Sequence, residues 1–232
     1  MAATEKFDPP SYYWPGGKDY LPPEQYGVDL CHDPRFRCQK VQPGQDWPAL
    51  FSNKMVREVV MRLNRTNVSM TYLTRIVIPR NLTDIDYMSY SPLPFYRDTH
   101  HHRLLYVNLS LFAFGAYDSD GKLLFWGPVS GGSDWCDDTK ASCATAMGTF
   151  SVFKIEGANC VSGTFPIDLS AGASGGASMP YCMYYHNGFA IHGSTLSGFV
   201  NRSHGCVRLF NDDAQWLNQY FVTLGTQVIV TY

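Results

Sequence analysis

Two short runs of this chain bring together residue types that can make and break an acyl bond. Ala190-Ile191-His192-Gly193-Ser194 is followed by Ser203-His204-Gly205-Cys206-Val207-Arg208-Leu209. A thiol beside an imidazole is the smallest set that yields a sulfur nucleophile. Cys206 is the candidate nucleophile. A free thiol titrates near about 8.5, and a neighbouring imidazolium can pull it down. The expectation is therefore a Cys206 thiolate paired with His192. His192 ends an expected strand, and a Gly- and Ser-rich connection of the right length to fold back separates it from Cys206. His204 is the competing base, because i and i+2 side chains share one face of an extended backbone. Glycine before the cysteine lets the backbone approach a substrate carbonyl. The N–H groups of Gly205 and Cys206 are the expected oxyanion donors, each worth roughly a hundred- to a thousand-fold in rate. Arg208 keeps its proton and offers a planar fork for a carboxylate. Each residue taken singly has a structural reading: a buried thiol, a core histidine, a surface ion pair. Their clustering points to nucleophilic acyl transfer.

The rest of the chain has to hold those groups in place. It has 232 residues, 45% of them apolar and 15% aromatic, enough for a substantial core. A formal net charge of -2 without a Lys/Arg block argues against nucleic-acid binding. No apolar run approaches the roughly 18 residues that would span a bilayer. The opening Met1-Ala2-Ala3-Thr4-Glu5-Lys6 lacks the pattern of a secretory leader. Seven cysteines nevertheless favour an exported chain with one thiol left over. Proximity pairs Cys31 with Cys38, Cys136 with Cys143 and Cys160 with Cys182, leaving Cys206 free. That is one of the fifteen pairings six cysteines allow, and seven reduced thiols is the other reading.

Residues 1–40, with Pro9-Pro10, Pro15-Gly16-Gly17 and Pro22-Pro23 among tyrosines, read as an irregular arm. Residues 41–80 read as a small module. Asp46 is a helix cap with Pro48 in the first turn, Met55, Val56, Val59, Val60 and Leu63 recur at helical spacing, and Arg75–Pro79 is a strand. Residues 81–102 read as a linker. Its His100-His101-His102 run makes a poor metal shell, because adjacent side chains diverge and no spaced Cys or Asp completes it. Residues 103–232 turn to a period of two. Leu105 to Ala113 alternate, Asp118-Ser119-Asp120-Gly121 turns a hairpin, and Gly148–Ile155, Phe189–His192 and Gln227–Thr231 are further strands. Asn211-Asp212-Asp213 caps one late helix. The expected fold is mostly β, a sandwich or partly closed barrel with one or two helices.

Residues 41–80 resemble a LysM repeat, through Gly44-Gln45-Asp46-Trp47, Leu63-Asn64-Arg65-Thr66-Asn67 and Ile76-Val77-Ile78-Pro79, with Leu73-Thr74 where a glycine is usual. The Ile191-His192-Gly193-Ser194 and Ser203-to-Leu209 runs resemble the signature of the YkuD-type L,D-transpeptidases. Leu105-Tyr106-Val107-Asn108 and Thr145-Ala146-Met147-Gly148-Thr149-Phe150 resemble further parts of that family, Ala146 replacing its proline. The resemblance covers roughly residues 103–232. It implies an enzyme of the periplasm or cell envelope, without cofactor or metal. Cys206 would attack the bond after meso-diaminopimelate in a peptidoglycan tetrapeptide stem and release D-alanine. The acyl group would pass to an amine of another stem, or of a wall-attached protein. Cys206, His192 and the Gly193 carbonyl would form the triad, with His204 in support. Ser203, Arg208 and Ser194 would contact substrate, and carbapenem-type β-lactams would inhibit. Stretches 127–143 and 156–184, each with two cysteines, would form a stiffened lid. Water as acceptor would make the same scaffold an L,D-carboxypeptidase or amidase. A wall-binding module with a dead site is a rival of another class, and the intact His192 and Cys206 count against it. A papain-like protease is disfavoured because its cysteine precedes its histidine.

Overall fold

The computed structural model describes residues 30–83, 85–166 and 175–232. The Pro- and Gly-rich run of residues 1–29 lies outside them, as does the middle of the stretch 156–184. The chain begins with a strand, two helices and a strand: β1 (Phe36–Lys40), α1 (Trp47–Leu50), α2 (Lys54–Leu63) and β2 (Arg75–Pro79), with β1 and β2 antiparallel. The strand at 36–40 falls in what the sequence marks as irregular arm. The expected single helix is two. Asp46 accepts from Ala49 N–H to start α1, and Asn53 accepts from Met55 and Val56 N–H to start α2. Met55, expected on the apolar face, is exposed, while Val56, Val59, Val60 and Leu63 are buried.

A nine-stranded sheet follows, in the order β6-β13-β3-β4-β5-β12-β11-β10-β7. Its strands are β3 (Leu104–Asn108), β4 (Ala113–Tyr117), β5 (Leu123–Ser130), β6 (Gly148–Ser151), β7 (Lys154–Ile155), β10 (Met183–His186), β11 (Phe189–Gly193), β12 (Val207–Leu209) and β13 (Gln227–Thr231). Two pairs, β13 with β3 and β11 with β12, are parallel. The sheet curls until its ends meet: Phe150 of β6 packs on Tyr185 and His186 of β10. A separate hairpin, β8 (Val161–Pro166) and β9 (Gly176–Ser178), stands beside it. The fold is thus mostly β and partly closed, as expected.

Three readings change in detail. The alternating run from Leu105 to Ala113 is a hairpin, with β3 ending at Asn108 and Phe112 at φ 50° before β4. The run Gly148–Ile155 is two strands on opposite edges of the sheet. It breaks where Val152 N–H bonds Thr226 O and Phe153 N–H bonds Tyr184 O. The late helix α3 (Asn211–Trp216) has Phe210 at its cap and no side-chain cap bond, and a π-helical stretch Leu217–Phe221 continues it.

Both faces of the central strands are buried, so alternation there does not separate inside from outside. Leu105, Val107, Phe114, Val129, Ile191, Val207, Leu209 and Val228 pack on one side with Ala214, Leu217 and Phe221. Leu104, Tyr106, Tyr117 and Trp126 pack on the other with Phe36, Val59, Leu63 and Val77 of the N-terminal elements. Residues 81–102 add Leu93 to that second core, and Pro94 O accepts from the buried Tyr117 hydroxyl.

Candidate active site

The parallel pair β11 and β12 sets the geometry. His192 stands opposite Arg208, and Ile191 opposite Val207. Directly paired residues share a face, so Ile191 and Val207 enter the core while His192 and Arg208 point the other way. Cys206, two residues before Arg208, shares their side. His192, Cys206 and Arg208 line one cavity of about 90 Å³ together with Ser194, Ser203 and His204. Six side chains that the sequence singles out thus reach one small space.

His192 is buried, and its Nδ1 lies 2.9 Å from the Gly193 carbonyl oxygen. A carbonyl only accepts, so Nδ1 carries the proton and Nε2 keeps its lone pair. Gly193 has no room for a side chain: a Cβ there would stand 2.5 Å from Asn211 Oδ1 and 3.1 Å from Asn211 Cα. The first residue of α3 therefore presses directly on the strand that carries His192.

The ionisation of the pair differs from the expectation. Burial is the main cause that lowers His192, to about 4, with the Gly193 bond opposing it. Burial likewise pushes the Cys206 thiol up, against a backbone hydrogen bond from Ala190 and the nearby Arg208. Burial thus disfavours the charged form of each group. Burial also pulls the Arg208 guanidinium down from its ordinary value, with Cys206 opposing.

Local hydrogen bonds bear on two further expectations. The Gly205 N–H donates to Ser203 Oγ at 3.0 Å, so it is spent within the turn and is not free for an oxyanion. The Ser203 hydroxyl in turn donates to the Cys206 carbonyl. Ser203 is 1% exposed, and its hydroxyl is bonded within the turn that leads to Cys206. Of the two expected oxyanion donors, the Cys206 N–H is the remaining candidate.

The connection from His192 to Cys206 is held from both sides. Asn67 Oδ1 accepts from Leu196 N–H at 2.8 Å, and Asn67 N–H donates to Leu196 O at 3.1 Å. The Thr66 hydroxyl reaches Leu196 O, and Gly198 N–H reaches Arg65 O. From the sheet, the Ser130 hydroxyl donates to Val200 O and Asn201 Oδ1 accepts from Gly131 N–H. Behind α3, buried Arg62 pairs with buried Asp213 and faces the rings of Tyr87, Phe125 and Phe210. The N-terminal elements thus brace the connection between His192 and Cys206 and the helix behind it.

His204 is held by two cystine-closed segments. Its Nε2 lies 2.7 Å from Asp138 Oδ2, between Cys136 and Cys143, and its ring packs against Phe165 with centroids 4.4 Å apart. The three bridges, Cys31–Cys38, Cys136–Cys143 and Cys160–Cys182, follow the proximity pairing, and Cys206 is free. Among the described residues, two clusters have metal-ligating atoms within reach of one another, Cys136 with Cys143 and His204, and Glu156 with Cys160 and Cys182. In both, the sulfurs are tied up in disulfides, so neither offers the thiolates a metal would need. Asp138, Phe165 and Arg62 went unmarked in the sequence, and Asn67 was marked only as part of the N-terminal module. The one available signal was a carboxylate enclosed by a closely spaced cysteine pair.

A free thiol, a buried imidazole with its proton on Nδ1 and a guanidinium thus share one cavity. The L,D-transpeptidase catalytic domain family, YkuD, matches residues 102–230. The chain belongs to that family. No curated protein matches. Among solved structures, the chain is similar to an L,D-transpeptidase from Xylanimonas cellulosilytica, with 21% identity, 62% of this chain and 65% of that one covered, and a TM-score of 0.48. It is similar to an L,D-transpeptidase from Mycobacterium smegmatis, with 24% identity, 56% and 59% covered and a TM-score of 0.45. It is also similar to L,D-transpeptidase 3 from Mycobacterium tuberculosis, solved with a faropenem-derived adduct, with 23% identity, 56% and 60% covered and a TM-score of 0.44. The chain therefore spans less than two thirds of the length of these structures.

Proposed function

We propose that this chain is a peptidoglycan L,D-transpeptidase of the cell envelope with Cys206 as its nucleophile. The observation that carries the reading is the convergence of free Cys206, His192 with its proton on Nδ1, and Arg208 on one cavity. Family membership supplies the substrate class, a tetrapeptide stem cleaved after meso-diaminopimelate. His192 Nε2 takes the Cys206 proton as sulfur attacks the stem carbonyl, because neither group is charged beforehand. The Gly193 carbonyl steadies the imidazolium that forms. The Cys206 N–H faces the developing oxyanion. His192 then returns its proton to the departing D-alanine nitrogen, leaving a thioester on Cys206. Arg208 binds a substrate carboxylate, and Ser194 lines the same cavity.

An amine of a second stem, or of a wall-attached protein, takes the acyl group. Water in its place gives a carboxypeptidase. A carbapenem would acylate the same sulfur and stall there. Intact-mass measurement after carbapenem treatment tests the reading: a single covalent adduct is expected, lost in Cys206→Ala. His192→Ala is expected to abolish turnover in a folded protein. An adduct retained by Cys206→Ala would place the nucleophile elsewhere.

A further inference from the structure

Cys206 lies where two cavities meet. The smaller holds His192 and Arg208. The larger, of about 460 Å³, is lined by Lys154, Tyr184, Phe189 and Phe165, and again by His204 and Cys206. His204 borders both, whereas His192 lines only the smaller. Of the two imidazoles, only that of His204 borders the larger cavity beside Cys206.

That imidazole is held in place on its edge and on its face. The carboxylate of Asp138 accepts from Nε2 at 2.7 Å, and this hydrogen bond is the main cause that lowers the Asp138 carboxyl. An ionised carboxylate offers no proton, so Nε2 carries the hydrogen of this bond and Nδ1 is the nitrogen left without it. His192 has the opposite assignment, with Nδ1 protonated against Gly193. The ring of Phe165 covers one face of His204, and the Cys136–Cys143 bridge closes the short loop that presents Asp138. His204 is thus fixed by a carboxylate on its edge and an aromatic ring on its face.

We propose that His204, positioned by Asp138, is the base of the second half-reaction, receiving the proton of the acceptor amine that enters by the larger cavity. This rests on the reading of Cys206 as the acylated nucleophile. The amine nitrogen uses its lone pair to form a bond to the thioester carbonyl carbon, and the carbonyl electrons move to oxygen. The nitrogen's proton passes to His204 Nδ1. When the carbonyl reforms, the carbon–sulfur bond breaks and its electrons stay on Cys206. The sulfur recovers the proton from the His204 imidazolium, leaving an amide, a thiol and a neutral imidazole. His192 serves the first half-reaction, in which the leaving amine needs a proton.

The experiment separates the half-reactions in the full chain with its bridges intact. A tetrapeptide stem is supplied with and without a diaminopimelate-containing acceptor. D-Alanine release in a single turnover reports acylation, amide product reports transfer, and intact mass reports acyl-enzyme. Asp138→Asn removes the acceptor-only partner and frees the other tautomer. Its acylation is expected within about threefold of the unsubstituted protein and its transfer at least about tenfold slower, a part of the roughly 10²–10⁴ that a general base supplies. Acyl-enzyme should then accumulate, and Asp138→Glu should restore part of the transfer rate. Equal slowing of both half-reactions, or no slowing of transfer, overturns the assignment. If the unsubstituted protein forms no acyl-enzyme on Cys206, the reading of Cys206 fails first and takes this one with it.

Discussion

Gly205 precedes the candidate nucleophile at φ 112°, and a Cβ built there would stand 2.1 Å from Phe189 Cε1 and 2.8 Å from Phe189 Cδ1. Gly198, in the same connection between His192 and Cys206, sits at φ 105° with nothing within 4 Å. The two glycines therefore form an internal control. Alanine at either position incurs backbone strain of about 1–3 kcal/mol. Only Gly205→Ala must also displace an aromatic ring, at a further cost of about 1–3 kcal/mol. For a chain of this size each kcal/mol moves the midpoint by roughly 2–4 °C, so Gly205→Ala should melt about 2–12 °C below Gly198→Ala. Its effect on chemistry should be larger, since a shift of about 1 Å in a reacting atom can cost roughly a hundredfold. Cys206 is the next residue and inherits any movement of the turn. Thermal unfolding by circular dichroism and the rate of carbapenem acylation by intact mass read the two effects. Phe189→Ala removes the obstructing ring, so Gly205→Ala should cost less in a Phe189→Ala background than in the unsubstituted chain. If Gly205→Ala is as mild as Gly198→Ala, or its cost is the same in both backgrounds, the close approach of Phe189 does not govern the turn.

The uncharged pair predicts a distinctive pH response: alkylation of Cys206 by iodoacetamide should keep rising above pH 8, whereas a standing ion pair would give a plateau through neutral pH. His192, lowered to about 4, stays neutral in the folded chain while the unfolded chain takes up a proton. Stability from this residue should therefore decline as pH falls from about 6.5 to 4, by about 3 kcal/mol in all, measurable by denaturant unfolding across that window. Arg62→Met strands buried Asp213, whose carboxyl burial already pushes up to about 7. It should cost about 3–5 kcal/mol at pH 8, and less at pH 5, where the carboxyl takes a proton instead. Arg62→Met with Asp213→Leu should recover much of that loss. A single variant as stable as the double at pH 8 would contradict the pairing.

The residues of the site were legible because its chemistry is local. His192, Gly193, Ser203, His204, Gly205, Cys206 and Arg208 lie within seventeen residues, and the parallel pairing of β11 with β12 needs only those segments. The ionisation was not legible, because a sequence shows that an imidazole can reach a thiol and not how far both are buried. The Ser203 hydroxyl shows the same limit: its type suggests a substrate contact, and only the turn reveals that Gly205 N–H and Cys206 O consume it. The strands were found where one apolar run belongs to one strand, as at Gln227–Thr231. They were misjudged where both faces are buried, because β3 and β4 are then buried at every position and the turn between them, Leu109-Ser110-Leu111-Phe112, has one polar residue and no Gly or Pro.

The N-terminal elements were the least legible, and the reason lies in their bonds. Trp47, Val60 and Ile78 build a small core of their own that a local pattern can suggest. Asn67 gives no such hint, because its partner Leu196 is 129 positions away. Read as the end of a helix, Asn64-Arg65-Thr66-Asn67 is a stop signal. In the folded chain Arg65 is fully buried, donating to Leu111 O and facing Trp126, while Thr66 and Asn67 fix the backbone between His192 and Cys206. A surface-tethered binding module would leave these polar groups in water. Here they satisfy the backbone of a loop that would otherwise have to order itself around the thiol, so the segment's first physical role is to hold the site's geometry.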